Sequence, residues 1–236
     1  MTVVTGRIWC GCRNLVLIIN PLFLKQEHVF AVNSDKNSSI NCIVTSALSV
    51  WLAIERSAVA KLYHAHSFAC LMEVNISPTV TKALAGCDDI IRQHKLSCLR
   101  ITALLCCKDL LWVGTSAGVL VYIPIPHVNH FTTKVTSVRN ISHAIVGHSG
   151  PCRFLVSVDL NDSSLDSHIK SLANACASKE GRRRRTSLNV GVLQQKTVYV
   201  ISGGEGCEDL QDTTNDENDD SFGIDDSTNF LLMWKT

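Results

Sequence analysis

Histidines and cysteines are the residues of this chain that could bind a metal. His64 and His66 flank one alanine, and alternate residues of a strand place their side chains on one face of a sheet. A structural zinc site, however, needs three or four ligands at a defined spacing. The Cys10-x-Cys12 pair does not supply the CxxC spacing that such sites use. The sequence therefore predicts no metal site, and the two histidines are interpreted as hydrogen-bonded imidazoles in a turn.

Catalysis by a cysteine is the second chemistry to consider, because the chain has 11 cysteines and 9 histidines. A nucleophilic cysteine needs a recognisable local motif and a positioned base. No cysteine here lies in such a motif, so no catalytic residue is predicted. The cysteines are scattered along the chain, unlike the compact framework of a disulfide-rich protein. We expect reduced thiols, and thus a cytoplasmic protein.

A glycine-rich segment, Gly203-Gly204-Glu205-Gly206, could suggest phosphate binding. It lacks the lysine and hydroxyl residue that end a P-loop, and the acidic residues after it would repel a phosphate. The segment is interpreted as a flexible turn that leaves a strand at Ile201 and Ser202. No cofactor is expected.

Four consecutive arginines, Arg182, Arg183, Arg184 and Arg185, precede the hydroxyl residues Thr186 and Ser187. Arginines before a hydroxyl residue are typical of the target of a basophilic kinase, and a phosphate would add nearly two negative charges there. The same run could bind an acidic protein or lipid head groups. A solvated loop and a nuclear-localisation signal are the other interpretations.

An acidic tract follows the last predicted strand. Residues 205–226 contain 10 acidic side chains and no lysine or arginine. Such a block repels itself and stays unfolded. One hypothesis is that the tract folds back on the arginine run, since the two lie on either side of one strand.

An internal sequence repeat predicts the strands that position these residues. Three segments, 7–21, 49–63 and 110–124, each open with an aliphatic residue and a tryptophan and have a small residue two positions later. The repeated positions are Trp9 and Gly11, Trp51 and Ala53, and Trp112 and Gly114. A short polar turn and alternating apolar residues follow in each segment. This pattern predicts a β-hairpin in which the small residue lets a neighbouring strand approach closely.

The spacing of the repeat predicts the architecture. Trp51 follows Trp9 by 42 residues, within the roughly 40–45 residues of a WD40-type propeller blade. Trp112 follows Trp51 by 61 residues, which leaves room for an insertion. Pro78 begins a helix-like stretch near 78–95 that fits this insertion.

We therefore predict an all-β, WD40-like β-propeller of about three to four blades, incomplete as a ring. Blades with the helical insertion occupy 1–160, a flexible loop with the arginine run occupies 161–195, and the last strands occupy 196–236, interrupted by a disordered acidic tract at 203–228. An open β-sandwich is the alternative fold.

Charge and hydropathy limit the partners. The formal net charge is +1, which argues against nucleic-acid binding. The most apolar run, 15–24, is interrupted by Asn20 and Pro21 and is far shorter than a membrane helix. No signal peptide is recognisable. We expect a soluble protein with protein partners.

Three further stretches resemble the C-terminal region of Rho guanine nucleotide exchange factors of the 10 and 17 group. They are 59–76, 87–126, and 201–209 with 225–235. The resemblance implies a WD40-like propeller that lies downstream of a Dbl-homology exchange domain. It also implies that the parent protein activates Rho-family GTPases and acts near the actin cytoskeleton. The exchange domain is a helical bundle that this chain lacks, so the resemblance implies a non-catalytic fragment.

Two other functions stay open. JNK-interacting scaffold proteins have similar Trp-x-Gly-Cys and Tyr-His-Ala-His motifs. The chain could therefore be the corresponding module of a kinase or transport scaffold. An enzyme built on a propeller would need titratable groups that converge in the central channel, and the sequence shows no such set.

Overall fold

The computed structural model of the chain describes residues 1–160, 197–210 and 228–236. Three antiparallel sheets of four strands follow one another, and in each the strands are neighbours in chain order. Sheet I consists of β1 (Thr2–Val4), β2 (Arg7–Cys12), β3 (Leu15–Asn20) and β4 (Lys25–Ala31). Sheet II consists of β5 (Ile40–Ser46), β6 (Ser49–Ile54), β7 (Val59–His64) and β8 (Cys70–Asn75). Sheet III consists of β9 (Ile101–Cys107), β10 (Leu110–Thr115), β11 (Leu120–Pro124) and β12 (Ser142–His143).

A fourth sheet contains three described strands. Sheet IV consists of β14 (Cys152–Leu160), β15 (Thr197–Glu205) and β17 (Asn229–Lys235). The short strands β13 (Val146–Gly147) and β16 (Glu208–Asp209) pair with each other beside it. The prediction of a mostly β, WD40-like chain of three to four sheets is confirmed.

The sheets stack in chain order through their first strands. β1 packs against β5, β5 against β9, and β9 against β14. Buried apolar side chains fill each of the three gaps between successive sheets. Burial of both faces explains why β6 has no exposed residue, since its alternate side chains enter the gaps on either side.

The three tryptophans occupy equivalent places in this stack. Trp9 lies in the core between sheets I and II, Trp51 between II and III, and Trp112 between III and IV. At most 3% of each side chain is exposed. Each indole therefore faces the sheet that follows its own, as expected when the same unit is repeated along the chain.

The insertion between β8 and β9 forms two helices, α1 (Ser77–Ala83) and α2 (Asp89–Ser97), where one helical stretch is predicted. Pro78 lies in the first turn of α1, where its missing N–H costs nothing. Asp88 caps α2, because its Oδ1 accepts a hydrogen bond from the backbone N–H of Ile90 at 2.9 Å. No helix among the described residues is long and apolar enough to cross a membrane.

Two sequence-based boundaries need correction. Gly203, Gly204 and Glu205 belong to β15 and do not form a turn, and Glu208 and Asp209 form β16. The expected start of the disordered tract at residue 203 is therefore wrong. Glycines suit this strand because a Cβ at Gly203 would lie 2.2 Å from the Phe154 ring.

Candidate functional site

The connections between strands alternate between two faces of the stack, because each sheet is an antiparallel meander. We call loop face the side that carries the β2–β3, β4–β5 and β6–β7 connections, both helices, the β10–β11 turn and the β13–β16 pair. We call turn face the opposite side, which carries the β1–β2, β3–β4 and β9–β10 turns. The loop face carries the 32–39 connection and the helical insertion, and the turn face carries the 125–141 connection. Connections of this kind are where recognition sites commonly lie.

A cleft of about 430 Å³ opens on the loop face between sheets I and II. This volume lies within the range of small-ligand or peptide pockets. One wall is the β4–β5 connection and the other is the β6–β7 turn. The lining side chains are mostly polar: Asn33, Asp35, Asn37, Ser38, Glu55, Arg56, Ser57, Lys61 and Glu73, with Ile54 and Val59 beneath them.

Hydrogen bonds hold the walls of the cleft in place. The Asp35 carboxylate accepts from the backbone N–H of Asn37 at 2.9 Å. The backbone N–H of Glu55 donates to the carbonyl of Ser39 at 2.7 Å, which joins the two walls. The side-chain amide of Asn14 donates to the carbonyl of Asn33 at 3.0 Å. The cleft is thus a preformed site, which reduces the entropy lost when a partner binds.

The charged side chains of the cleft differ in whether a partner could reach them. Lys61 is 17% exposed, and its Nζ lies 2.8 Å from the Glu73 carboxylate and 3.0 Å from the carbonyl of Val32. This ammonium is therefore satisfied within the protein. Asp35 and Glu55 remain exposed at the rim with Arg56. The rim offers two carboxylates and one guanidinium, a set that suits a polar segment carrying a positive charge.

A second ordered part of the loop face ties the helical insertion to the last sheets. Lys95 on α2 lies 2.5 Å from the Glu208 carboxylate on β16, and the two side chains are only 12% and 25% exposed. The thiol of Cys87 also donates to Glu208, at 3.3 Å. Because of burial and this carboxylate, the pKa of Cys87 is raised, so the thiol stays protonated.

Sheets III and IV meet at a buried histidine. His148 Nδ1 lies 3.1 Å from the carbonyl of Gly206, and its Nε2 lies 2.7 Å from the hydroxyl of Ser202. A carbonyl only accepts, so Nδ1 carries the proton and Nε2 accepts from the hydroxyl. Gly118 approaches the same segment, since a Cβ there would lie 1.7 Å from the carbonyl oxygen of His148. Its φ of +82° also favours glycine.

The predicted repeat positions lie at the contacts between sheets and not on an open face. A Cβ at Gly11 would lie 3.2 Å from Ile40 of the next sheet, and one at Gly114 would lie 2.7 Å from Cys152 Sγ. Ala53 is fully buried in the gap between sheets II and III. These small residues admit the first strand of the following sheet.

The histidines that could ligate a metal do not form a site. His64 is buried at the end of β7, where its Nε2 lies 3.0 Å from the carbonyl of Asn129 and its Nδ1 accepts from the backbone N–H of His66 at 3.1 Å. In the described ranges no group of three or more His, Cys, Asp or Glu is arranged to hold a metal ion. The ten cysteines of those ranges are free thiols.

The arginine run, Thr186 and Ser187 lie outside the described residues, as do residues 211–227 of the acidic tract. Their attachment points are nevertheless known. The segment with the arginines enters β15 at Thr197 on the turn face, whereas the acidic tract follows the opposite end of that strand. The hypothesis that the two segments meet therefore requires contact between segments attached on opposite faces.

Sequence reasoning missed two surfaces. The cleft was not predicted, although the Asn-, Asp- and Ser-rich segment 33–39 is a composition typical of an ordered turn. The tip of the β3–β4 hairpin exposes Leu22, Phe23 and Leu24 by 84%, 70% and 80% on the turn face. Three adjacent exposed apolar residues could have been noticed beside Pro21.

Comparison with known proteins agrees with this architecture. Residues 1–169 match the family model described as a WD40 repeated domain. Rho guanine nucleotide exchange factor 17 from Mus musculus is 41% identical over the whole chain, and the Homo sapiens protein of the same name is 40% identical. C-Jun-amino-terminal kinase-interacting protein 4 from Mus musculus is 30% identical over 89% of the chain.

The chain spans 12% of the length of either exchange factor and 17% of the kinase-interacting protein. The matched family model covers well over half of the chain, and the stacked four-stranded sheets are the structure that such repeats form. The chain therefore belongs to the WD40 repeated-domain family.

Proposed function

We propose that the chain is a non-catalytic protein-interaction propeller region of a Rho guanine nucleotide exchange factor, and that it binds a protein segment at the loop face. The observation that carries this proposal is the preformed polar cleft between sheets I and II. Its exposed carboxylates, Asp35 and Glu55, favour a partner segment that bears a lysine or arginine.

The assignment to an exchange factor rests on the relatives. A protein that is 41% identical over the whole chain is named for guanine nucleotide exchange, but the chain spans only 12% of it. We place exchange activity in another part of that longer protein. Cytoplasmic location and action on Rho-family GTPases near the actin cytoskeleton belong to the same proposal. The ten free thiols support a reducing compartment.

The phosphorylation of Thr186 or Ser187 and the binding of an acidic partner by Arg182, Arg183, Arg184 and Arg185 stay predictions. The lack of a catalytic, cofactor or metal site in the whole chain is likewise part of the proposal.

Binding at the cleft is tested with two variants of equal charge change. Glu55→Lys reverses one carboxylate of the cleft rim, and Asp109→Lys makes the same change on the turn face. Partners captured from animal cell extract by the wild-type chain are quantified by mass spectrometry. We expect Glu55→Lys to lower capture of at least one partner about 10-fold or more, and Asp109→Lys to leave it unchanged. Equal loss in both variants, or none in either, contradicts binding at the cleft.

The non-catalytic role is tested separately with a Rho-family GTPase that carries fluorescent GDP. The chain is expected to leave the rate of GDP release unchanged, whereas the full-length mouse relative provides the positive control. Accelerated release by the chain alone contradicts the proposal.

A kinase or transport scaffold module is the second candidate, because the protein named for interaction with C-Jun-amino-terminal kinase is 30% identical over most of the chain. Direct binding of the chain to that purified kinase, without binding to a Rho-family exchange factor or GTPase, would favour this candidate.

A further inference from the structure

A second cavity, of about 400 Å³, lies along β8, the outer strand of sheet II. Its other wall is the 125–141 connection, whose residues 134–138 run beside β8. We call this space the edge groove and define it by residues 71–75 of β8, residues 134–138 and Ile141. Both walls are internal segments of the chain, and the volume lies within the usual range of ligand pockets.

The backbone groups of β8 alternate between β7 and the edge groove. The backbone N–H of Ile76 donates to the carbonyl of Ala58 at 3.0 Å, so these two residues form a hydrogen-bonded pair. In an antiparallel ladder such pairs alternate with pairs that exchange no hydrogen bonds. The register of β8 with β7 assigns Glu73 and Asn75 to the second kind. Their backbone N–H and C=O groups therefore point away from β7, towards the groove.

Among the described residues, one backbone hydrogen bond joins the two walls of the edge groove. The N–H of Val135 donates to the carbonyl of Leu71 at 3.0 Å. No other backbone hydrogen bond crosses the groove in those ranges, so Glu73 and Asn75 receive no backbone partner from the connection. The edge of β8 thus directs donors and acceptors into an open space, and such an edge is a template for a further strand.

β8 has little of the protection that edge strands commonly have. Short length, prolines and charged side chains usually prevent strand addition. β8 has six residues and no proline, whereas β12, the outer strand of sheet III, has two residues. The one charge in β8, on Glu73, is compensated by Lys61, whose Nζ lies 2.8 Å from the carboxylate. β8 is therefore suited to pair with an added strand.

The side chains around the edge groove specify the kind of segment that fits it. Met72 on β8 and Val135, Val138 and Ile141 on the connection are partly buried and pack against the core between sheets II and III. They favour apolar side chains at alternate positions of an added strand. Lys134 is exposed and has no ion pair among the described residues, so it favours a carboxylate on the segment.

From these features we propose that the edge groove binds an extended peptide segment of a partner protein, which adds to β8 as a fifth strand of sheet II. The segment has alternating apolar residues and an aspartate or glutamate. Its backbone pairs with Glu73 and Asn75, its apolar side chains contact Val138 and Ile141, and its carboxylate lies near Lys134. The proposal goes beyond the loop-face cleft, whose rim favours a positively charged segment, and neither site depends on the other.

Two substitutions at Glu73 separate strand addition from the other roles of this residue. Glu73→Pro removes the outward N–H and leaves the hydrogen bonds to β7, since proline is tolerated on an edge strand where its nitrogen faces away from the sheet. Glu73→Ala removes the same carboxylate but keeps the N–H, so it is the matched control. Circular dichroism and thermal unfolding check that both variants are folded.

The probe is a phage-displayed library of short random peptides. The library is first depleted on Glu73→Pro and then selected on the wild-type chain. Enriched peptides are expected to have alternating apolar residues and an acidic residue. In fluorescence anisotropy, the synthetic peptides should bind Glu73→Ala within about 3-fold of the wild type and Glu73→Pro at least about 10-fold more weakly. Their binding should also slow amide hydrogen exchange in β8 and not in β4, the outer strand of sheet I.

A second pair of variants tests the site if Glu73→Pro does not fold. The library is then selected on the wild-type chain without depletion. Lys134→Glu reverses the charge beside the edge groove, and Lys25→Glu makes the same change at an exposed position of sheet I. We expect Lys134→Glu to weaken binding of the acidic peptides about 10-fold and Lys25→Glu to leave it unchanged.

Several results would overturn strand addition at β8. If no peptide is enriched, the groove accepts no added strand. Peptides that bind Glu73→Pro as tightly as Glu73→Ala bind elsewhere. An equal loss in Glu73→Ala and Glu73→Pro means that the carboxylate is recognised and the strand edge is not. Equal binding to the wild type and Lys134→Glu contradicts the acidic character of the segment. None of these outcomes bears on the effect of Glu55→Lys at the loop-face cleft.

Discussion

Single residues set the spacing between the sheets. Gly114 lies so close to Cys152 of the next sheet that even a methyl group would meet its sulfur at 2.7 Å. Burial raises the pKa of the Cys152 thiol to about 12, so this sulfur acts as an apolar group that fills space. The cysteines of the core are therefore packing residues, which agrees with their position inside apolar runs.

The buried His148 makes stability depend on pH. Burial lowers the pKa of His148, and the hydrogen bond to the carbonyl of Gly206 offsets this only in part. In the unfolded chain a histidine titrates near pH 6.5. The unfolded state therefore binds more protons below that pH, and the free energy of unfolding falls as the pH drops from about 6.5 towards the lower pKa of the folded state. Above about 6.5 this contribution is complete.

Urea unfolding of the wild-type chain and of His148→Asn between pH 7.5 and pH 5 measures this effect. The asparagine amide can still donate to Gly206 but does not titrate. We expect the variant to be less stable at pH 7.5 and to lose less stability on acidification. The same pH dependence in both proteins would assign the acid sensitivity to another group.

At the scale of elements, the sequence predicts the hairpins but not the tertiary contacts that they make. Trp9, Trp51 and Trp112 predict three of the four sheets, because an aromatic strand, a turn and an alternating strand are local features. Sheet IV has Ile201 where the others have tryptophan, so the repeat does not mark this strand and the sequence predicts a turn at its glycines. The cleft arises only when the 32–39 connection packs beside the β6–β7 turn, and such a contact between separate loops has no local signal.

The path of the 125–141 connection illustrates the same limit. The backbone N–H of Val135 donates to the carbonyl of Leu71 at 3.0 Å, so the connection runs beside β8 of another sheet. Val135, Val138 and Ile141 pack against the core between sheets II and III. Their burial depends on tertiary contacts, and the sequence pattern after residue 126 carries no period that predicts it.

The helical insertion is attached to β16 through Lys95 and Glu208. Removing one partner leaves the other charge poorly solvated, because both side chains are largely buried. Lys95→Met should therefore cost more than the ~1 kcal/mol of an exposed ion pair and less than the ~3–5 kcal/mol of a fully buried one. The double variant Lys95→Met, Glu208→Gln should recover part of that loss.

Thermal and urea unfolding of Lys95→Met, Glu208→Gln and the double variant checks this expectation. Arg92→Met is the control, since Arg92 pairs with Asp89, which is 85% exposed, and its loss should cost little. A double variant whose cost equals the sum of the single costs would contradict direct coupling between the two charges.

At the scale of the whole chain, the described sheets form a stack in which the inner and outer sheets differ in how many of their faces another described sheet covers. Sheets II and III are covered on both faces, whereas sheets I and IV are covered on one. All six residues of β6 are buried, but only Trp9 is buried among the six of β2. In such an array each sheet depends on its neighbours, so local stability should fall from the middle to the ends.

Amide hydrogen exchange followed by mass spectrometry measures this gradient. The second strands of the four sheets, β2, β6, β10 and β15, have equivalent positions within a sheet, so comparison among them removes the usual difference between edge and inner strands. We expect β6 and β10 to exchange at least about 10-fold more slowly than β2 and β15. Equal exchange in all four strands would mean that the sheets unfold as one cooperative unit and that the outer sheets have no local weakness.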